Sequence, residues 1–178
     1  MFELRFPTKD LLKWSKAYSY NNSPVDENII MYTYAPKIKK RGYLIKDEFL
    51  DVCKWKTQRS QSLCKRNSES FVNEVTRLAL DASHEEVPIK VLRILEGVQY
   101  PTASVILHFF HEEKYPIIDF RALWSLKITK VPITYTFDFW KRYVDYCRAL
   151  SEKSSLDMRT IDRALWAYSK KNQPAKKT

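Results

Sequence analysis

Glycine is nearly absent from this sequence, because only Gly42 and Gly97 occur among its 178 residues. A β-sandwich or β-barrel needs many tight turns, so this scarcity argues against both architectures. Apolar residues recur at helical spacing instead, which predicts an all-α fold. The two glycines that remain are informative, since each is expected where a side chain would not fit.

Cysteine is also scarce and follows no known ligand pattern. Cys53, Cys64 and Cys147 are odd in number and widely spaced, and no two of them stand at CxxC spacing. This excludes an obvious zinc or iron–sulfur motif and a disulfide framework. We therefore expect three reduced thiols in a cytosolic protein, with no bound metal and no cofactor.

Long hydrophobic runs are missing as well. The first residues, MFELRFPTKDLLKW, contain no apolar signal core, and no apolar run approaches the length of a membrane span. We therefore expect a cytoplasmic protein without a membrane partner, associated with the nucleoid if the source is prokaryotic.

Positive charge is abundant and unevenly placed in a chain whose formal net charge is +10. Residues 37–66 hold ten Lys/Arg against three acids, and residues 119–178 hold thirteen against six, whereas residues 67–118 are net acidic. Two basic blocks that converge in a fold would bind a polyanion, and a solvated basic surface is the alternative. Charge alone does not separate DNA from RNA or from anionic lipid.

Capping residues and apolar spacing predict where helices begin and end. Ser68 and Thr136 are expected to start helices, Gly42 to end one, and Pro36 to interrupt one. Further helices are expected from Thr8 to about Tyr18, from Ser23-Pro24, over 46–56, around Pro88, from Thr102 to His111, and from Asp157 to about Tyr168. Residues 131–137, VPITYTF, are the one strand-like stretch, and residues 171–178 are expected to form a flexible tail.

Residues 94–126 carry the strongest functional signal. One apolar helix ends just before Gly97, which permits a tight turn, and Pro101 sets the start of a second helix. Small residues at 102–104 keep the first turn of that helix open to close approach. The amide donors of such a helix N-terminus bind a phosphate without reading base sequence, whereas an ordinary helical hairpin is the alternative.

Asp119 is the candidate reactive group of this segment. It follows two isoleucines and stands just before another helix, where it has a simple role as an N-cap. Its other role is to stay ionised at a helix N-terminus, where the helix dipole favours negative charge. A carboxylate held there would stabilise a positively charged sugar as a base departs.

The pattern Gly97-Val98-Gln99-x-x-Thr102-Ala103, followed by Asp119, resembles the helix-hairpin-helix DNA glycosylases, the superfamily of endonuclease III and the alkyl-purine glycosylases. The resemblance covers about residues 89–126. It implies a helical domain over 1–170 with a central helix-hairpin-helix and two lobes, one at about 46–126 and the other formed by 1–45 and 127–170. It also implies a monomeric base-excision repair enzyme that hydrolyses the N-glycosidic bond of a damaged or mismatched base in double-stranded DNA.

The same resemblance implies roles for individual residues. Asp119 would be the catalytic carboxylate, and the amides around Tyr100 to Ala103 would hold a phosphate. The target nucleotide would be flipped into a pocket, with Gln58 or Arg59 as the wedge that holds bent DNA. DNA contacts are expected at Gly97, Gln99, Tyr100, Thr102, Ala103, Lys54, Lys56, Gln58, Arg59 and Arg121, and the base pocket at Trp55 and Trp124.

The sequence departs from the family pattern in ways that affect the expected chemistry. Gln99 replaces the second hairpin glycine, so the turn must tolerate a side chain. Pro101 stands where bifunctional members carry a lysine nucleophile, so a Schiff base cannot form there and a lyase activity is not expected. The chain is also shorter than most members between residues 56 and 88, and it lacks the cysteine cluster that holds iron–sulfur in some of them.

Two further clusters have structural interpretations. His108 and His111 stand at i, i+3 spacing with no third ligand, so they are interpreted as core or surface histidines rather than metal ligands. A salt-bridge face at a helix start is expected at Asp157, Arg159, Asp162 and Arg163.

Three functions follow from these patterns. The leading one is a monofunctional DNA glycosylase. The second is a non-catalytic helix-hairpin-helix DNA-binding module, in which Asp119 only caps its helix. The third is a protein-interaction domain whose basic faces meet an acidic partner. The role of Asp119 separates the first from the second, and salt-dependent binding of duplex DNA separates both from the third.

Overall fold

The computed structural model of the protein describes residues 2–19, 23–129 and 133–174. These residues form helices and connecting loops, and none of them is in a β-strand, which confirms the predicted all-α class. In the stretch expected to be strand-like, residues 133–136 are loop and Phe137 begins a helix. Residues 131 and 132 lie outside the described ranges.

Within the described ranges the helical elements follow one another in a simple order. They are a 3₁₀ turn (Thr8–Asp10), α1 (Leu11–Lys16), α2 (Glu27–Ile29), a π-helical segment (Ile30–Tyr34), α3 (Ala35–Arg41), α4 (Lys46–Lys56), α5 (Gln61–Cys64), α6 (Glu69–Asp81), α7 (Glu86–Leu92), α8 (Tyr100–Phe110), α9 (Phe120–Ser125), α10 (Phe137–Ser154) and α11 (Met158–Asn172).

The chain forms two compact units. Unit 1 consists of Met1–Tyr20 together with Pro116–Thr178, and unit 2 is the continuous segment Asn21–Tyr115. Unit 2 is thus an insertion between the two parts of unit 1 in the sequence.

The unit boundaries differ from the lobe boundaries expected at about residues 45/46 and 126/127. Residues 24–45 belong with the hairpin because α3 packs against α8, and because the Leu44 N–H donates to Thr76 Oγ1 of α6 at 3.0 Å. The helix α9 belongs with the C-terminal helices because it packs along α11, where Ser125 Oγ donates to the Leu165 carbonyl at 2.6 Å.

Unit 1 is organised around α11, which packs against α1, α9 and α10. Its core includes Trp140, Tyr143 and Leu165, each with no exposed side-chain surface. The Tyr143 hydroxyl donates to the Ile117 carbonyl at 2.9 Å, which satisfies the polar atom of a fully buried phenol.

Unit 2 is organised around α8, which packs against α3, α4 and α7. This helix is apolar on nearly every side, and Val105, Ile106 and Leu107 are completely buried. A helix that is hydrophobic all round must be covered by neighbours, so α8 is the central element of this unit.

Several predicted helix boundaries are confirmed by their caps. Ser68 Oγ and Thr136 Oγ1 each accept the backbone N–H of the third residue of the helix that follows, at 3.2 Å in both cases. Gly42 ends α3 with φ +83°, and α4 occupies the predicted residues 46–56.

Asp157 caps α11, which continues past the predicted end at Tyr168 to Asn172, so the first residues of the expected flexible tail are helical. Residues 175–178 lie outside the described ranges.

The expectation that Pro36 interrupts a helix is wrong. The helical path continues from Glu27 to Arg41 because a π-helical segment precedes the proline, and Pro36 then occupies the first turn of α3. The Ala35 N–H donates to the Ile30 carbonyl, five residues back, and this wider turn accommodates a residue that has no N–H to donate.

Two predicted helix starts are displaced by a few residues. Thr8 lies inside the 3₁₀ turn that precedes α1 and makes no side-chain cap, and α1 ends at Lys16 rather than Tyr18. After Ser23-Pro24, the cap of α2 is Asp26, whose carboxylate accepts the Asn28 N–H at 2.9 Å.

Candidate functional site

The turn between α7 and α8 requires glycine. It is closed by a hydrogen bond from the Val98 N–H to the Leu95 carbonyl at 3.1 Å, and Gly97 has φ +81°. A Cβ on Gly97 would lie 2.6 Å from Cys64 Sγ, 2.9 Å from Cys64 N and 3.0 Å from the Ser60 carbonyl oxygen. Both the left-handed backbone and the contact with α5 therefore exclude a side chain here, as the sequence predicted for the turn.

The side chain of Asn67 fixes this turn in place. Its Nδ2 donates to the carbonyls of Glu96 at 3.0 Å and Cys64 at 2.9 Å, and its Oδ1 accepts the Glu96 N–H at 2.9 Å. The residue is only 4% exposed, so these bonds are shielded from water. Sequence reasoning missed Asn67, because an asparagine just before a helix cap has no distinguishing local pattern.

The N-terminus of α8 is only partly open. Gln99 is its N-cap and is exposed, whereas Tyr100, Thr102 and Ala103 are at most 3% exposed. Among the residues expected around a phosphate, Gln99 and the half-exposed Gly97 are the accessible ones. An anion would therefore approach the α8 amides from the side of the Gly97 turn.

A cation that was not anticipated lies beside this helix start. The guanidinium of Arg93, in the loop between α7 and α8, stands 4.2 Å from the centroid of the Tyr100 ring. Cation–π contact with a buried ring holds the guanidinium in place. Arg93 is half-buried and adds positive charge next to the expected phosphate site.

The polar residues at the end of α4 and in the loop after it belong to unit 2, as the hairpin turn does. Lys54, Gln58 and Arg59 are exposed, and Lys56 is half-buried. The segment continues directly into Ser60, whose carbonyl is one of the atoms against Gly97. The structure therefore brings the candidate wedge loop and the candidate phosphate-binding turn together within unit 2.

The expected base pocket at Trp55 and Trp124 has no support in the arrangement of these rings. Trp55 is 5% exposed and packs edge-on against Phe109, with ring centroids 5.6 Å apart. Trp124 belongs to unit 1, where it stacks on Tyr168 at 5.9 Å and carries the Arg5 guanidinium over its ring at 4.3 Å. Each indole is occupied by contacts inside its own unit, because packing and cation–π contact bury the faces that a base would need.

Asp119 is the N-cap of α9, in unit 1. Its Oδ1 accepts the Ala122 N–H at 2.8 Å, and the side chain is half-buried. The pKa of Tyr135 is raised to about 12. Burial is the larger cause, and the negative charge of Asp119 is the smaller one. Burial above all, with a contribution from Asp119, also raises the pKa of Tyr143. The capping bond thus gives the carboxylate a fixed position.

The two acids of the expected salt-bridge face on α11 bind backbone groups. Asp157 accepts the Thr160 N–H at 2.9 Å, and Asp162 is 5% exposed with its two oxygens 3.1 and 3.2 Å from the Ile117 N. Both acids therefore hold backbone N–H groups. The neighbouring arginines Arg159 and Arg163 also lie over an aromatic ring, that of Tyr18.

His108 of α8 and His111, which follows that helix, have structural contacts. His108 Nδ1 is 2.7 Å from the Tyr115 carbonyl oxygen. His111 packs edge-on against the Tyr115 ring at 5.1 Å, and its Nδ1 accepts the Glu113 N–H at 2.9 Å. Across residues 2–19, 23–129 and 133–174, no three His, Cys, Asp or Glu side chains form a group that could hold a metal ion.

No protein-family model matches this chain, and neither a curated protein nor a solved structure matches it. In the part of the chain that the structure describes, no helix is both long and apolar enough to cross a membrane.

Proposed function

We propose that the chain binds double-stranded DNA and is a monofunctional DNA N-glycosylase. One observation carries this proposal: the Asp119 carboxylate is fixed by the Ala122 N–H at the start of α9 and lies half-buried. A negative charge that is already oriented stabilises developing positive charge better than a mobile one in water.

The hairpin of unit 2 supplies the DNA-binding part of the proposal. Its Gly97 turn is held against α5 by Asn67, so the backbone there is rigid. The exposed Gln99 and the Arg93 guanidinium stand at the start of α8, where amide groups and the helix dipole favour an anion. These features suit a DNA phosphate, which is bound without reading the base.

The proposed reaction breaks the bond between C1′ of the sugar and the nitrogen of the base. The bonding electron pair leaves with the base, and the positive charge that develops on the sugar is stabilised by the ionised Asp119. Water then adds to C1′ and gives up a proton, for which Asp119 is the acceptor. The proline at position 101 has no amine for a covalent intermediate, so the product is an abasic site in an intact strand.

The replacement of Asp119 by asparagine tests this mechanism. Asn is similar in size and can still accept the Ala122 N–H, so the variant should fold and bind DNA. It lacks the charge, and loss of one preorganised electrostatic contact costs on the order of 100- to 1,000-fold in rate. The measurement is single-turnover excision from a panel of duplexes that each carry one defined lesion or mismatch.

Asp157→Asn is the matched control, because Asp157 caps α11 in the same unit through the Thr160 N–H. It should excise at the wild-type rate. Equal excision rates for wild type and Asp119→Asn would reject Asp119 as the catalytic carboxylate.

A second candidate function is a DNA-binding module without catalysis. The capping bond from Ala122 favours it, since that bond alone accounts for an aspartate at this position. This candidate predicts salt-dependent duplex binding, no excision from any duplex of the panel, and equal melting temperatures for wild type and Asp119→Asn. Absence of duplex binding would reject both candidates and leave the protein-interaction function.

A further inference from the structure

One face of unit 1 combines cations with aromatic rings. Arg159, Arg163, Trp166 and Lys170 stand on α11 at spacings of four, three and four residues, which places them on the same side of the helix. Arg121 of α9 lies on this side of α11 as well, because its guanidinium is 5.3 Å from the centroid of the Trp166 ring. We refer to Arg121, Arg159, Arg163 and Lys170, with the rings they cover, as the α11 face.

Each cation of the α11 face lies over an aromatic ring. The guanidinium groups of Arg159 and Arg163 are 5.2 and 5.4 Å from the centroid of the Tyr18 ring. Lys170 Nζ is 4.9 Å from the Trp166 ring, and that ring meets Tyr18 edge-on at 5.2 Å. Such contacts hold long side chains in one orientation, so less entropy is lost when they bind a ligand.

Further bonds hold these groups. An Arg159 guanidinium nitrogen donates to the Tyr18 hydroxyl at 3.1 Å, and Lys170 Nζ donates to the Ser19 carbonyl at 2.9 Å. Lys170 is exposed, and Arg121, Arg159 and Arg163 are half-buried. The face is therefore an ordered set of cations that solvent, and a ligand, can reach.

Acidic groups are few along this helix. All of α11 lies within the described residues, and its sequence contains one acid, Asp162, which is 5% exposed and accepts the Ile117 N–H. Four of its residues are cationic: Arg159, Arg163, Lys170 and Lys171. The charged residues of α11 that solvent reaches are therefore all cationic, and the exposed carboxylate of its N-cap, Asp157, accepts the Thr160 N–H.

We propose that the α11 face binds the phosphate backbone of duplex DNA without regard to base sequence. Arg159 and Lys170 are separated by eleven residues, or about 16 Å along the helix. Cations spread over this length can contact more than one phosphate, because each strand of a duplex carries one negative charge per about 3.4 Å of its axis. The cations lie over the Tyr18 and Trp166 rings, so the face presents positive charge to a backbone.

The inference rests on the proposed function only in taking DNA as the partner, and it does not depend on catalysis. It assigns most of the α11 face for the first time, since only Arg121 was expected from the sequence to contact DNA. It places a DNA contact in unit 1, separate from the hairpin contact of unit 2.

The test measures binding of an undamaged duplex of about 25 base pairs, by fluorescence anisotropy, across 50 to 300 mM salt. The variant Arg159→Gln/Arg163→Gln should bind roughly 50-fold more weakly near 0.1 M salt, and its salt dependence should be shallower by about two in log–log slope. The control Arg142→Gln/Lys153→Gln removes two exposed cations from α10 and lowers the net charge equally. It should change affinity by no more than about threefold, because screening weakens charges away from the contact.

Two more variants separate charge from folding. Arg159→Lys/Arg163→Lys keeps the charges, so its salt slope should equal that of wild type. Trp166→Leu keeps the cations but removes the ring beneath Lys170 and Arg121, so it should bind several-fold more weakly with an unchanged slope. Thermal melting of every variant identifies any loss of affinity that comes from unfolding.

Four other results would each reject the α11 contact, its partner or the proposed function. If wild type binds duplex and the Arg159/Arg163 variant binds equally well, the α11 face is not a contact, and the proposed function stands. Equal weakening by the control pair would show that net charge alone acts. Tighter binding of single-stranded RNA or of vesicles with anionic lipid than of duplex would show that the partner is wrong. No duplex binding by wild type would reject this inference and the proposed function together.

Discussion

The side-chain amide of Asn67 pairs with both backbone polar groups of Glu96, 29 residues further along the chain. Its Nδ2 donates to the Glu96 carbonyl while its Oδ1 accepts the Glu96 N–H. This two-bond contact joins the loop between α5 and α6 to the residue immediately before Gly97. A buried side chain thus helps to fix the position of the hairpin turn.

Replacing Asn67 by alanine should lower the free energy of unfolding by about 3 kcal/mol, because buried backbone groups at Glu96 and Cys64 would lose their partner. Urea denaturation measures the change. Arg66→Gln is the control, since the Arg66–Glu96 ion pair is 3.5 Å long and more than half exposed at both ends. Such a pair contributes at most about 1 kcal/mol. Similar losses in both variants would contradict the role given to Asn67.

The two glycines provide a matched pair of substitutions. Both have φ near +80°, but a Cβ on Gly42 would meet nothing within 4 Å, whereas a Cβ on Gly97 would meet α5. Gly42→Ala should therefore cost only the left-handed backbone penalty, about 1–2 kcal/mol. Gly97→Ala should cost about 2 kcal/mol more, because the turn must also move away from Cys64. Equal unfolding free energies would show that the contact with α5 relaxes without cost.

The buried thiols of Cys53 and Cys64 should titrate far apart. The pKa of Cys64 is lowered to about 7. The largest cause is a hydrogen bond from the Cys53 thiol, and a hydrogen bond with Ser60 also lowers it. Burial raises the pKa of Cys53 well above its ordinary value. We expect one thiolate absorbance step near pH 7 that is absent in Cys64→Ala and that moves to higher pH in Cys53→Ala. An unchanged midpoint in Cys53→Ala would exclude that hydrogen bond as the cause.

This pKa also predicts how stability depends on pH. The pKa of Cys64 is lower in the folded state than its ordinary value of 9.0. Its ionisation therefore contributes stability that is fully present above about pH 9 and is lost as the pH falls through 7. The gain in unfolding free energy between pH 7 and 9 should be smaller in Cys64→Ala than in wild type, and an equal gain would contradict the lowered pKa.

Any excision product should carry an intact strand. Since position 101 is proline, borohydride should trap no covalent complex between the protein and a substrate duplex. A bifunctional glycosylase with the same duplex and reductant serves as the positive control. A trapped complex would show that another lysine forms a Schiff base, and the monofunctional assignment would then be wrong.

The sequence predicted those features that depend on a few neighbouring residues. Caps at Ser68, Thr136 and Asp157 and the left-handed glycines Gly42 and Gly97 were recognisable, because each acts within about four positions of itself. The continuation of the helix past Pro36 was not, since it depends on a π-helical turn that leaves no sequence pattern.

The contacts that define the candidate sites join residues far apart in the sequence. Asn67 meets Glu96 across 29 positions, and Arg159 meets Tyr18 across 141 positions. The spacing of residues along one sequence does not predict such pairs, because only the packing of helices brings them together. The burial of Trp55 against Phe109 is a tertiary property of the same kind.

The insertion of unit 2 within unit 1 has a consequence for the order in which the chain folds during synthesis. Unit 2 is continuous, so all of its residues have been made once Tyr115 has left the ribosome. The helix α1 must instead wait for α11, its packing partner, which begins roughly 140 residues later. Contacts between such distant segments close large loops and form slowly. Chains arrested shortly after residue 115 has emerged should therefore contain protease-resistant α3 to α8, while α1 remains open to cleavage until translation has passed α11.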